Sequence, residues 1–241
     1  PQIINAPIGV TAADGAEIAG FDIMGATSRG ILIDGVAGPI NIYNVTITGG
    51  GDGIDINNST GSIVLTNVDM APGQYGMDIG NSSADIALYN STIFTDNNYL
   101  LEQTNDTGSF LLDETSSMTA TASSGTEGIY YGNASGTYVY NGAVNINDFT
   151  GGTALYIGSS TGADFDFNNL TITNADTTAL YLNGNDSATT VDISGPSSIT
   201  QNWDDATISV FGDQSTLTVA ETVTVSASTG TGLQINKGAG Y

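Results

Sequence analysis

The side chains of this sequence that could do chemistry recur in the middle of one short phrase. The phrase reads Gly-Ile-Asp-Ile at 53–56, and its third residue is acidic in early copies and aromatic in later ones. The acidic members are Asp55 and Asp78, and the aromatic members are Tyr130, Tyr156 and Tyr181. Carboxylates accept hydrogen bonds or act as acids and bases. Stacked tyrosines offer rigid, amphipathic contact area, which is common in binding surfaces.

The second alternating run of the repeat has an acidic residue at its centre in two repeats, Asp166 and Asp192, which are expected on the same rungs as Tyr156 and Tyr181. If the repeats stack in register, these groups form an acidic and aromatic surface across one corner. The alternative is that aromatic residues simply stabilise a sheet through cross-strand pairs. We predict a ligand-binding surface made of Tyr130, Tyr156, Tyr181, Asp166, Asp192, Asp55 and Asp78. A degenerate fourth copy of the phrase, Tyr99-Leu100-Leu101, is expected to place Leu101 in the same outward row.

Catalysis is the competing use of these carboxylates. The chain has no His and no Cys, which excludes several general-base and nucleophile arrangements. Its two basic residues, Arg29 and Lys237, lie near opposite ends, so elimination from an acidic sugar lacks its base. Hydrolysis by paired carboxylates remains chemically open. The segment 50–55 is similar to one segment of polygalacturonase-type hydrolases, whose other motifs have no counterpart here. We therefore expect no enzyme.

A calcium site is the other chemistry that this segment suggests. It partly fits the calcium-binding nonapeptide of β-rolls, with Asp55 at the acidic place, but the apolar place falls on Asn57 and the match is single. Glycines at a tight corner explain the segment better. We predict no metal site and no cofactor, although the acidity of the chain allows weak Ca²⁺ binding.

The element that must position these residues is a repeating coil. The phrase returns every 23 residues at first and every 25 to 29 later, which is typical of a solenoid. Each period contains three short alternating runs and no helical spacing. The second run repeats an apolar pair, and these pairs should stack inside as columns: Ile40/Ile42, Ile63/Leu65, Ile86/Leu88, Phe110/Leu112, Tyr138/Tyr140, Phe165/Phe167, Val191/Ile193 and Leu217/Val219. The sequence predicts an all-β, right-handed parallel β-helix, a three-stranded solenoid of about nine or ten coils.

The turns of this solenoid also have a sequence signature. Asn44, Asn67 and Asn90 recur 23 residues apart, just before the third run. Asparagine tolerates left-handed backbone angles and can bond to its stacked neighbour, so we expect an asparagine ladder at this corner.

Composition limits the domain organisation and the partners. The repeat is uninterrupted, so we expect one domain over 1–241, cut from a longer secreted or surface protein. No apolar run approaches the ~20 residues of a membrane-spanning helix. The net charge of −23, with only two basic residues, disfavours nucleic acid and direct lipid binding.

These features together resemble a family. The 23-residue coils, the Gly-Ile-Asp-Ile and Ala-Leu-Tyr-Ile phrases, the Asn/Ser/Thr/Gly turns and the scarcity of Lys, Arg and Cys are similar to the β-helical passenger domain of a type V autotransporter adhesin. This family includes pertactin-like and self-associating surface proteins. The resemblance extends over the whole chain and lies in repeat pattern and composition, not in a signature motif. It implies export through an outer-membrane barrel and display outside the bacterial cell.

The expected function is therefore a non-catalytic cell-surface or secreted adhesin. It would attach to host glycans or extracellular-matrix proteins, or to other copies of itself in cell–cell aggregation and biofilm formation. One alternative is a β-helical polysaccharide hydrolase or lyase that uses Asp carboxylates. Another is a structural spacer or surface-layer segment.

Overall fold

The chain is an all-β solenoid in which every paired strand runs parallel to its neighbours. The computed structural model describes residues 1–96, 99–121, 127–149, 152–201, 206–212, 214–227 and 230–236. Within these ranges it contains 25 strands and no helix, and therefore no helix that could span a membrane. The predicted parallel β-helix is confirmed. Lys237 lies outside the described residues.

The strands form three sheets, one for each alternating run of the repeat. The first sheet contains β2 (Ile8–Thr11), the ends of β4 (Asp22–Asp34) and β5 (Ile40–Asn57), then β7 (Met77–Gly80), β10 (Leu101–Thr104), β13 (Glu127–Gly132), β16 (Thr153–Gly158), β19 (Leu180–Asn183), β22 (Ile208–Phe211) and β25 (Leu233–Asn236).

The second sheet contains β3 (Glu17–Ala19), the starts of β5 and β6 (Ser62–Ala71), then β8 (Asp85–Tyr89), β11 (Ser109–Leu112), β14 (Thr137–Tyr140), β17 (Asp164–Phe167), β20 (Thr190–Ile193) and β23 (Thr216–Val219). The third sheet contains β1 (Gln2–Ile4), the start of β4, the middle of β5, the end of β6, then β9 (Thr92–Thr95), β12 (Ser117–Thr121), β15 (Ala143–Asn147), β18 (Leu170–Ala175), β21 (Ser198–Gln201) and β24 (Thr224–Ala227).

Each sheet thus stacks nine or ten strand segments in the described part of the chain. The first and last segments of a sheet are separated by eight or nine complete turns, close to the predicted number of coils. Successive rungs lie about 4.8 Å apart, so equivalent residues of neighbouring turns are in direct contact.

The core is the interior of the solenoid, filled by the inward side chains of all three sheets. The predicted apolar pairs of the second sheet stack in register from Ile40/Ile42 onwards, and they are buried up to Val191 and Ile193. The last pair is less covered, with Val219 37% exposed. In the middle coils the columns become aromatic, and Tyr138 stacks on Phe165 with ring centroids 4.8 Å apart.

Asparagine ladders form two of the corners. Asn44, Asn67 and Asn90 have φ of 54°, 56° and 47°, and their side chains bond from rung to rung at 2.6 and 3.2 Å. This ladder is confirmed. A second ladder, which the sequence analysis missed, joins Asn81, Asn105 and Asn133 at 3.0 and 3.1 Å. The members of this ladder are 24 and 28 residues apart, because the coils lengthen there, so they do not follow the 23-residue period that revealed the first ladder.

The register of β10 corrects one prediction. Leu101 pairs with Met77 and is fully buried, whereas Glu102 pairs with Asp78 and takes the outward position. This coil is one residue longer than the preceding ones, and a shift of one residue in a strand exchanges its two faces. The next inward residue is the polar Gln103, which disguised the alternation.

Candidate functional site

The outward side of the first sheet carries a continuous row of acidic and tyrosine side chains. The pairing of β5, β7, β10 and β13 aligns the central positions of successive rungs. That alignment continues through β16 and β19. The aligned row reads Leu32, Asp55, Asp78, Glu102, Tyr130, Tyr156, Tyr181, Ser209 and Gln234.

A second set of residues lies beside this row, near the beginnings of the strands. Arg29 pairs with Asp52 across β4 and β5. The rings of Tyr75 and Tyr99 stack at 5.1 Å, and the Tyr99 hydroxyl donates to Glu127 at 2.7 Å. We call the combined surface the carboxylate–tyrosine strip; its members are Arg29, Asp52, Asp55, Tyr75, Asp78, Tyr99, Glu102, Glu127, Tyr130, Tyr156 and Tyr181. Six of these members were not predicted. Arg29, Asp52, Tyr75, Tyr99 and Glu127 approach the row only when the coils stack, and Glu102 takes the place that was assigned to Leu101.

Asp55 is not available on the surface of the strip, contrary to the prediction of an exposed ligand-binding group. Its side chain is fully buried, because the Arg29 guanidinium forms an ion pair with it and Asn57 donates a hydrogen bond to it. The longer Arg29 side chain, partly exposed, reaches over from the preceding coil. Asp55 therefore has a structural role in this structure.

Asp52 and Asp78 lie close to this ion pair and add two further carboxyl groups beside it. One carboxylate oxygen from each of Asp52, Asp55 and Asp78 lies within 4.8 Å of the others. Oδ1 of Asp52 is shielded from solvent and has no hydrogen-bond partner among the described residues. Burial raises the pKa of Asp52, and the neighbouring Asp78 raises it further. Burial likewise raises the pKa of Asp78, although Arg29 opposes this.

These three carboxylates are the group best placed to hold a metal ion. Ca²⁺ takes six to eight oxygen ligands, and three carboxylates supply part of that number. The Arg29 guanidinium already compensates Asp55, so a cation would compete with it. Weak Ca²⁺ binding stays a prediction.

Glu102 is the most perturbed carboxyl group of the strip. Partial burial raises its pKa to about 7, and repulsion from Asp78, Glu127 and Asp52 contributes in that order. A group with this pKa is close to half ionised at neutral pH, so it can bind or release a proton there. Sequence reasoning missed it, because the misaligned register assigned its place to Leu101.

The tyrosines of the strip pack on one another. Tyr130 and Tyr156 stack with nearly parallel rings, 5.0 Å apart, and Tyr181 lies edge-on to Tyr156 at 5.6 Å. Glycine makes room for this arrangement, since a Cβ at Gly132 would come within 2.8 Å of the Tyr130 hydroxyl. The Tyr156 hydroxyl accepts a bond from Asn183 at 3.1 Å. All three residues are half-buried, so part of each tyrosine side chain is open to solvent.

Asp166 and Asp192 lie on the second sheet, where they face outward on neighbouring rungs of β17 and β20. They are thus across a corner from Tyr156 and Tyr181, as predicted. The strip itself draws its carboxylates from the first sheet. A role for Asp166 and Asp192 in binding stays a prediction.

Replacing Arg29 by Gln should destabilise the solenoid by about 2 kcal/mol, because Asp55 would keep a buried charge without its partner. Urea unfolding at pH 7 measures the loss. The double variant Arg29→Gln/Asp55→Asn should recover most of it, since position 55 then no longer has a buried charge. A double variant as unstable as the single one would contradict this assignment.

In comparisons with known proteins, no family model, no curated protein and no solved structure matches this chain. The functional argument therefore depends on the fold and on the carboxylate–tyrosine strip.

Proposed function

We propose that this chain is a non-catalytic adhesive rod, secreted or displayed on a bacterial surface, which attaches to glycans or matrix proteins or to other copies of itself. The observation that carries the proposal is the continuity of the carboxylate–tyrosine strip over consecutive rungs of a parallel solenoid. An extended ligand can contact such a strip at many equivalent points.

The composition of the strip supports a binding role. Tyrosine is enriched among the residues that dominate binding energy, and here its rings are held by stacking and lose little freedom on binding. Hydroxyl and carboxylate oxygens beside these rings can accept hydrogen bonds from sugars or proteins. Partners that carry dense negative charge, such as nucleic acids and anionic membranes, are disfavoured by the net charge of −23.

A second candidate, a glycoside hydrolase, has one observation in its favour. Glu102, with its pKa near 7, lies on the rung next to Asp78, so one carboxyl group could be protonated while another is ionised. The strip lies on the outer surface of the first sheet. The groove lined by Glu17, Tyr43 and Val64 lies on the second sheet and therefore contains neither Glu102 nor Asp78. Release of reducing sugar from neutral and acidic glycans, abolished in Glu102→Gln, would establish this alternative and overturn the non-catalytic proposal.

The double variant Tyr156→Ser/Tyr181→Ser tests the adhesive proposal. We expect about a tenfold loss of binding for each ring removed, because the contact area and two hydroxyl groups are lost. Binding of the labelled chain to bacterial cells and to a glycan array measures the effect, and sedimentation measures self-association.

A matched control is Tyr43→Ser/Tyr89→Ser, which removes two outward tyrosines from the second sheet. This control should bind like the native chain, and both variants should keep the far-UV β spectrum. Undiminished binding by Tyr156→Ser/Tyr181→Ser would rule out the strip as the adhesive surface.

A further inference from the structure

The tyrosines of the carboxylate–tyrosine strip form an unbroken line of ring contacts over consecutive rungs of the first sheet. The line consists of Tyr75, Tyr99, Tyr130, Tyr156 and Tyr181. Two of its contacts are parallel stacks, Tyr75 on Tyr99 at 5.1 Å and Tyr130 on Tyr156 at 5.0 Å. The contact that follows each stack is edge-on, at 6.3 and 5.6 Å. Neighbouring phenol rings can be joined by oxidation, and the two kinds of contact differ in how well they prepare that reaction.

Parallel stacking places the reactive carbon atoms of two rings opposite each other. Tyrosyl radicals couple through Cε, the ring carbon next to the one that bears the hydroxyl group. The planes of Tyr75 and Tyr99 differ by 8°, so their Cε atoms are separated by about the centroid distance of 5.1 Å. The planes of Tyr99 and Tyr130 differ by 80°, and their Cε atoms do not face each other in this way.

The backbone keeps the rings of Tyr75 and Tyr99 in contact while their side chains can still move. The N–H of Gly76 donates to the carbonyl of Tyr99 at 3.0 Å, which fixes the two coils at this point. Both tyrosines are half-buried, so part of each side chain is open to solvent. A small oxidant can therefore reach the pair, and the rings have room for the approach that a bond between them requires.

Tyr99 also has a proton acceptor in place. Its hydroxyl donates to the carboxylate of Glu127 at 2.7 Å. A phenol that loses an electron becomes a strong acid, and a carboxylate already bonded to the hydroxyl can take the proton in the same step. In the other parallel stack, the Tyr156 hydroxyl accepts a hydrogen bond from Asn183 at 3.1 Å. The contact with Glu127 favours oxidation of Tyr99, and its parallel neighbour Tyr75 is then the coupling partner.

We propose that Tyr75 and Tyr99 are an oxidative cross-linking site, at which hydrogen peroxide and a haem peroxidase join Cε of one ring to Cε of the other as dityrosine. Each phenol gives one electron to the peroxidase. Tyr99 gives its proton to Glu127, and Tyr75 gives its proton to solvent. The two radicals form one carbon–carbon bond, and the hydrogen on each joined carbon then moves as a proton to the ring oxygen, which restores both phenols. The two electrons and two protons released convert one hydrogen peroxide into two molecules of water.

The product is a covalent staple between neighbouring coils. It joins positions 75 and 99 and closes a loop of 24 residues, which restricts the unfolded chain as a disulfide of that span does. The cross-linked protein should therefore unfold at a higher urea concentration than the untreated protein. This inference goes beyond the adhesive proposal and does not depend on it, because it concerns the reactivity of the rings and requires no bound partner.

The test treats the native chain with hydrogen peroxide and a haem peroxidase at pH 7, at low protein concentration and low salt. Under these conditions the net charge of −23 keeps copies apart. Dityrosine fluorescence measures the rate, and cleavage after Asp and Glu followed by mass spectrometry locates the bond. We expect the earliest product to be a pair of peptides that contains Tyr75 and Tyr99 and is two hydrogen atoms lighter than their sum.

Three variants assign the roles of the individual side chains. Tyr99→Phe keeps the ring and should lose this product. Glu127→Gln keeps a hydrogen-bond acceptor but is a far weaker base, and should form the product about tenfold more slowly. The control Tyr43→Phe/Tyr89→Phe should react at the native rate, because these tyrosines lie two rungs apart on the second sheet. Far-UV circular dichroism verifies that each variant keeps the β-fold.

Several results would overturn this inference. The site is wrong if no product contains both Tyr75 and Tyr99, or if the bond between Tyr130 and Tyr156 forms earlier. A yield that rises with protein concentration would show coupling between copies instead of within one chain. An unchanged rate in Glu127→Gln would remove the role of the carboxylate as proton acceptor. The adhesive proposal is decided separately, by the binding of Tyr156→Ser/Tyr181→Ser to cells and glycans.

Discussion

Replacing Phe165 by Ala should lower the free energy of unfolding by about 3–5 kcal/mol. The ring is fully buried inside the solenoid, between Tyr138 and Tyr131, with centroids 4.8 Å from each. Stacked rungs above and below prevent the neighbouring coils from closing the space that the ring would leave. Urea denaturation followed by far-UV circular dichroism measures the loss.

Phe94→Ala is the matched control for this prediction. Phe94 faces outward on the third sheet and is 40% exposed, so its removal creates no cavity. We expect it to cost about 1 kcal/mol or less. Similar losses in the two variants would contradict the assignment of the aromatic column to a tightly packed interior.

Replacing Asp106 by Asn should stabilise the protein at pH 7.5 by up to about 3 kcal/mol. Asp106 is fully buried within the solenoid, where it accepts bonds from Gln103 at 3.1 Å and from Tyr138 at 3.3 Å. Burial raises its pKa to about 6, despite the hydrogen bonds that favour its charged form. Arg29 is the one basic residue in the described part of the chain, and it is paired with Asp55, so no basic side chain there compensates the charge of Asp106.

The pH dependence of this effect has a defined sign. The pKa of Asp106 is higher in the folded chain than in the unfolded chain, whose value is near 3.8. Between about pH 4 and pH 6 the folded state binds more protons, so the native protein loses stability as the pH rises through this window. An Asn side chain does not titrate, and its amide group can donate to Oε1 of Gln103, which has no partner among the described residues.

The measurement is the unfolding free energy of both proteins at pH 4.5 and pH 7.5. The advantage of Asp106→Asn should be small at pH 4.5 and large at pH 7.5. Asp52, Asp78 and Glu102 also have raised pKa values and change the native protein in the same direction, so the difference between variant and native protein isolates Asp106.

Asp14→Asn is an informative control. Backbone donors at Gly38 and Ala37 lower the pKa of Asp14, so its contribution to stability is lost as pH falls, the opposite sign. This control should therefore destabilise the protein slightly at pH 7.5. If Asp106→Asn also destabilised it there, the buried carboxyl group would have to be a net stabilising acceptor rather than a cost.

The sequence by itself determined the fold and the positions of most inward residues. The inner pairs such as Ile63/Leu65 and Phe165/Phe167 follow from period-two alternation, which depends only on local backbone geometry. The stacking of Tyr130, Tyr156 and Tyr181 and the ladder that begins at Asn44 follow from the repeat length, because equivalent residues of neighbouring coils must meet.

Only the tertiary structure decided which residues belong to the carboxylate–tyrosine strip. Glu102 replaced Leu101 because one added residue reversed the faces of β10. Asp55 became buried because Arg29 reaches it from another coil, and Asp52 and Glu127 joined the strip through contacts between coils. Alternation is a local property that can be read along the chain. Charge interactions depend on distances between residues more than 20 positions apart, and those distances exist only once the coils are stacked.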